Sequence, residues 1–113
     1  MTKGQIEQLA IKALEDQKAQ DLTVISLAGK ADFADSMIIA SGTSSRHIQA
    51  LAARVQEVMQ EHDQPRGTVE GSGATDWVLL DLSSVIVHLF LPQARAYYDL
   101  EQLWGGVRPG GLA

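Results

Sequence analysis

Residues 76–91 read DWVLLDLSSVIVHLFL, and the pairing chosen for them decides the fold. Placing Ser83-Ser84 in a two-residue loop makes two strands that fold on each other. Leu82 then faces Val85, Leu80 faces Val87 and Val78 faces Leu89. Side chains alternate along a strand, so these six aliphatic residues share one face. The other face collects Trp77 across from Phe90, Leu79 across from His88 and Asp81 across from Ile86. One face is a core. The other mixes large apolar groups with an acid and an imidazole, a mixture that a sheet does not need in order to fold. Either a helix covers this face too, with Asp81 and His88 at its edge, or it is an interaction surface. Trp, Tyr and Phe are favoured at the centres of interfaces, where flanking polar groups set specificity.

Working outward, the residues before this hairpin alternate helix and strand signals. Ile6, Leu9, Ala10, Ala13 and Leu14 recur at helical spacing, and Thr2 with Gln5 forms a capping-box pattern. DLTVISL (21–27) reads as a strand broken by Ala28-Gly29-Lys30. SMIIASG (36–42) has the apolar run of a central strand covered on both faces. Thr43, Ser44 and Ser45 offer caps to a second helix with the stripe Ile48, Leu51, Ala52, Val55, Val58 and Met59. Asp63-Gln64-Pro65 ends it. RGTVEGSGAT (66–75) holds a short β-like segment and three glycines, which predicts a flexible connection. After the hairpin, Pro92 opens a last helix, with Ala96, Leu100 and Leu103 as its core stripe and Arg95–Asp99 as a surface pair.

The predicted order is therefore α-β-β-α-β-β-β-α, a mixed sheet packed with helices in one α/β or α+β domain over residues 1–105. Residues 106–113 read as a flexible tail. A chain of 113 residues has room for one modest core.

Fourteen acids against nine bases give a formal charge of −5, which disfavours a protein that grips nucleic acid mainly through phosphates. An acidic surface is instead drawn to a basic protein partner. With no cysteine, disulfides, thiolate chemistry and Cys-ligated metals are excluded. No window approaches the roughly 20 apolar residues of a membrane helix, and the amino terminus does not read as a secretory signal. The expected location is the cytoplasm.

The search for catalytic chemistry comes back empty. SGTSSRH (41–47) runs from a strand through glycine into a helix start, where an anion could bind. It lacks the P-loop and dinucleotide patterns, and a hydroxyl-capped turn is the plainer reading. A nucleotidyltransferase would carry paired metal-binding carboxylates just after such a turn. Here Gln49 to Val55 contains none, and two-metal phosphoryl transfer needs those ligands. Asp32 and Asp35 form a lone DxxD suited to turn chemistry. His47, His62 and His88 are too scattered for a zinc-protease motif.

Several linked motifs carry a resemblance. Asp76 to Asp81, Val87-His88-Leu89-Phe90, then Arg95, Tyr98, Leu100-Glu101 and Leu103-Trp104-Gly105 resemble the signature of the Iojap family, the bacterial and organellar ribosomal silencing factors. Asp35 to Ser44 and Arg46-His47 match as well, so the likeness spans roughly residues 5–105 in order. One departure is the hairpin turn, where the family often has a Gly-Asp type turn and this chain has Leu82-Ser83-Ser84.

The resemblance implies a nucleotidyltransferase-like fold without catalytic carboxylates, and a function that is not enzymatic and needs no cofactor. It implies binding to the large ribosomal subunit through its ribosomal protein fourteen, on the face that meets the small subunit. Subunit joining would then be blocked and translation repressed when nutrients are short. Carried over by position, it implies a partner surface of Trp77, Asp81, His88, Arg95, Tyr98 and Glu101, with Glu70 and Asp76 adding acidity. Little direct nucleic-acid contact is expected, and a homodimer of the free protein is left open. A residual nucleotide-binding protein on the same fold is the alternative.

Overall fold

The structure, a computed structural model, describes residues 2–71 and 75–105. Nine elements follow one another: α1 (Lys3–Asp16), β1 (Gln20–Ser26), β2 (Ser36–Ser41), α2 (Ser45–Glu61), β3 (Thr68–Glu70), β4 (Trp77–Asp81), β5 (Val85–Phe90), α3 (Pro92–Tyr98) and α4 (Leu100–Gly105). The five strands make one mixed sheet in the order β1-β2-β5-β4-β3. β2 and β5 run parallel, and every other neighbouring pair is antiparallel.

The opening hairpin holds its predicted register. Val78 pairs with Leu89, Leu80 with Val87 and Asp81 with Ile86. Leu82 N–H donates to the Val85 carbonyl at 2.9 Å, so Ser83 and Ser84 are the loop. Ser83 takes the left-handed φ of 72° that a tight hairpin turn demands, and its N–H donates to Asp81 Oδ1 at 2.8 Å. The serine pair therefore does the work of a Gly-Asp type turn.

α1 and α2 lie together on one face of the sheet. The Thr2–Gln5 capping box starts α1, and Ser44 caps α2. The buried residues of α2 are the six of the predicted stripe. They pack with Ala10, Ala13 and Leu14 of α1 onto Ile38, Ala40, Val78, Leu80, Val87 and Leu89. Gly42 lets α2 begin close to β2, because a Cβ there would lie 2.6 Å from Ile48 Cγ2. His47 fastens the same corner. Its Nδ1 accepts from Thr43 N–H at 2.9 Å, so its Nε2–H donates to the Gln17 carbonyl at 2.8 Å.

The other face is handled differently. Its smaller core comprises Ile25, Leu27, Met37, Ile39, Phe90 and Ala94, with Trp77 and Leu100 packed against it. All six β2 residues are buried, as expected for a strand covered on both sides. The last helix departs from its predicted form. It is broken at Asp99, which takes a left-handed φ of 50°, and the helical phase is reset there. Ala94 and Leu100 consequently point to the core, whereas Ala96 is exposed and Leu103 is 69% exposed. Nor does Arg95 lie at the surface. Its side chain is 12% exposed, with Nε donating to Glu101 at 2.8 Å and the terminal nitrogens reaching Ser41 and Thr23. The expected tail at 106–113, the centre of the glycine-rich connection and the Trp104 side chain lie outside the described residues.

Candidate functional site

α3 and α4 cover only the part of the second face next to Phe90 and β1. Over β4 and β3 that face is left open, and although all six residues of β5 are buried, the residues around the opening are those of the mixed face. They line a shallow groove of about 560 Å³. Its floor is Leu79, Ile86 and His88, from adjacent strands. Trp77 and Leu100 wall it on one side and Met37 and Phe33 on another. Thr68, Glu70 and Asp81 form its polar rim.

Register accounts for this assembly. Met37 pairs with Ile86, Asp81 with Ile86 and with Thr68, and Leu79 with His88 and Glu70. The same phase of alternation therefore runs across four strands and brings residues 37, 68, 70, 79, 81, 86 and 88 onto one face. β3 is held in place by a glycine with little choice: Gly71 has a φ of 92°, and a Cβ there would approach the Trp77 carbonyl oxygen to 2.5 Å.

Trp77 is the hub of an aromatic cluster. Its ring centroid lies 5.0 Å from Phe90, 5.7 Å from His88 and 4.7 Å from Tyr98. Phe90 is 1% exposed and anchors the cluster in the core, whereas Tyr98 is 46% exposed. Trp77 Nε1–H donates to His88 Nδ1 at 3.0 Å. Burial pushes the His88 pKa down from 6.5 to about 4, because the interior disfavours the imidazolium. The ring is therefore neutral at physiological pH.

Of the eight residues implied as a partner surface, Glu70, Trp77, Asp81 and His88 line the groove, and Tyr98 extends it through its contact with Trp77. Asp76 is exposed just before β4. Arg95 and Glu101 are placed otherwise: they hold each other and tie α3 and α4 to β1 and β2. Sequence reasoning missed Phe33, which is 53% exposed and lines the groove. A signal existed, since a phenylalanine between Asp32 and Asp35 in a strand connection has no local reason to be apolar.

Among the described residues no group of three or more His, Asp or Glu could hold a metal ion. No helix among them is long and apolar enough to cross a membrane.

Residues 2–109 match the family model described as "Ribosomal silencing factor during starvation". The chain belongs to that family. A ribosomal silencing factor of Zymomonas mobilis is 42% identical over 97 residues, which cover 86% of this chain and 73% of that protein. The counterpart from Chromobacterium violaceum is 41% identical over 105 residues, 93% of this chain and 86% of the relative. A crystal structure of a Chromobacterium violaceum protein superposes with a TM-score of 0.83 at 39% identity, covering 96% of this chain and 91% of that one. The family's single mixed-sheet domain is thus the fold described above.

Proposed function

We propose that this chain is a ribosomal silencing factor that binds the large ribosomal subunit through its ribosomal protein fourteen. It acts by steric obstruction of subunit joining, as a repressor of translation under nutrient limitation, and catalyses no reaction. One observation carries the reading beyond family membership: an aromatic and acidic groove is left uncovered on a sheet whose opposite face carries the core made with α1 and α2.

Trp77 serves as the apolar anchor, because its indole is backed by Phe90 and needs no rearrangement to receive a partner. Glu70, Asp76 and Asp81 supply the negative field that a basic ribosomal protein complements. His88 and Tyr98 flank the anchor. Arg95 and Glu101 contribute by bracing α3 and α4, and so Tyr98, against the sheet.

Co-sedimentation of the protein with isolated large subunits, small subunits and joined ribosomes tests this. The expected result is binding to large subunits alone, with fewer joined particles and an affinity that falls as salt rises. Trp77→Ala is expected to weaken binding by about thirtyfold or more, the loss typical of a central anchor, while the variant stays folded. Failure to bind any particle would sink the reading.

A further inference from the structure

Two histidines of this chain sit at polar crossings, and they differ in one respect. His47 uses both ring nitrogens within the chain, whereas His88 uses one. An indole N–H can only donate, so His88 Nδ1 must present its lone pair to Trp77. The proton of the neutral ring is therefore on Nε2. His88 is 6% exposed, and the described residues offer Nε2 no acceptor. No sealed side-chain nitrogen among them lacks a partner, so this N–H opens on the groove that the ring lines.

A donor in that position discriminates between partners. A surface that closed over it without an acceptor would leave a buried N–H unpaired, which costs more than the bond gains when made. The charge around it narrows the acceptor. Glu70 and Asp81 stand on the rim, no Lys or Arg among the described residues lines the groove, and a carboxylate or phosphate would be repelled. A neutral carbonyl is not.

We propose that His88 is the polar anchor of the groove, its Nε2–H donating to a main-chain carbonyl oxygen of the partner. The segment that fits lays an apolar side chain against Trp77 and Leu79 and carries Lys or Arg to face Glu70 and Asp81. Trp77 thus has a second role beyond contact, since its indole N–H fixes the tautomer that aims the donor outward. The inference rests on the proposed binding to the ribosomal protein and names the chemistry by which the groove selects it.

Heteronuclear NMR of histidine-labelled protein, titrated with purified large-subunit ribosomal protein fourteen, tests it on the unaltered chain. In the free protein His88 is expected to show a protonated Nε2 and a bare Nδ1. On binding, the Nε2–H resonance should move downfield and exchange more slowly, together with the Trp77 indole signal. If the Trp77 and Tyr98 signals move while Nε2–H does not, the anchor is wrong and the binding reading survives. If no signal moves, both fall. In parallel, His88→Phe is expected to lose about tenfold in affinity, the worth of one hydrogen bond. His88→Gln can accept from Trp77 and still donate to the groove, so it should stay within about threefold. Equal losses in the two variants would overturn the anchor.

Discussion

The same strands make two unlike faces. Toward α1 and α2, Val78, Leu80, Val87 and Leu89 are fully buried in a cluster of aliphatic side chains and Met59. Toward the groove, Leu79 and Trp77 are half-buried, His88 is buried but polar, and Asp81 is exposed. Residues one position apart therefore serve different purposes: the even-numbered positions of β4 hold the domain together and the odd-numbered ones meet the outside. What separates them is cover. The first face receives two helices of 14 and 17 residues. The second receives the 7 and 6 residues of α3 and α4, too little to close it.

The contrast is sharpest in a matched pair of truncations. Leu80→Ala empties a fully enclosed site and should destabilise the domain by about 2–5 kcal/mol, transfer and cavity terms combined. Leu79→Ala, on the groove floor, should cost under about 1.5 kcal/mol and show its effect in ribosome binding. Urea unfolding together with co-sedimentation separates the two. Similar losses of stability at both positions would break the distinction between the faces.

His88 makes the open face sensitive to pH. Its folded pKa of about 4 lies below the ordinary histidine value of 6.5. Below 6.5 the unfolded chain takes up a proton that the folded chain refuses until near 4. Stability from this residue is therefore complete above 6.5 and declines as pH falls through that window, by up to about 3 kcal/mol. Urea midpoints measured across the window should fall in the unaltered chain, and by one proton's slope less in His88→Gln. Equal slopes would mean that the imidazole is already protonated in the fold.

Arg95 tests the boundary between the covered and open parts of the second face. Arg95→Ala would leave Glu101, Ser41 and Thr23 without the guanidinium that joins them, at a cost of about 2 kcal/mol. Because the brace carries α3, the Tyr98 contact with Trp77 should loosen too, read as a change in Trp77 fluorescence. Arg95→Lys should rescue little, since one ammonium cannot reproduce the fork that spans both Glu101 oxygens.

How much of this was legible before the fold was in hand follows the same division. Period-two alternation gave the hairpin register, and period-three-and-four spacing gave the buried stripe of α2, because each rests on local geometry. That Trp77, Asp81 and His88 share one face was legible from the same alternation, as an excess of polar and aromatic groups on that face. The role of Arg95 was not. Helical spacing pointed it at Asp99, but a left-handed residue at that position ended the periodicity; its carboxylate partner is Glu101, six positions on, and its further partners Ser41 and Thr23 lie 54 and 72 positions away. Phe33 escaped for the same reason: it enters the groove from a connection whose course only the tertiary fold determines. The Trp77–His88 bond is intermediate, since the two side chains sit diagonally beside each other in a register that could be read, while the direction of the bond required coordinates.

The smallest expected effect bears on what keeps the two faces apart. A slip of one residue between β4 and β5 would either exchange Leu80 for Leu79 on the closed face or turn His88 into the closed core. The loop resists that slip through Ser83, which holds a φ of 72° with Asp81 Oδ1 accepting its N–H. A serine in the left-handed region is strained by about 1 kcal/mol, whereas asparagine tolerates it better. Ser83→Asn should therefore stabilise the domain by about 0.5 kcal/mol, leave the Asp81 bond intact and leave ribosome binding unchanged. Asp81→Asn retains a side-chain oxygen for the Ser83 N–H while removing the charge, so it should preserve the turn and weaken only the salt-dependent part of binding. If Asp81→Asn instead lowered stability as much as Leu80→Ala, the carboxylate would belong to the hairpin and not to the rim. The negative field of the groove would then rest on Glu70 and Asp76 alone.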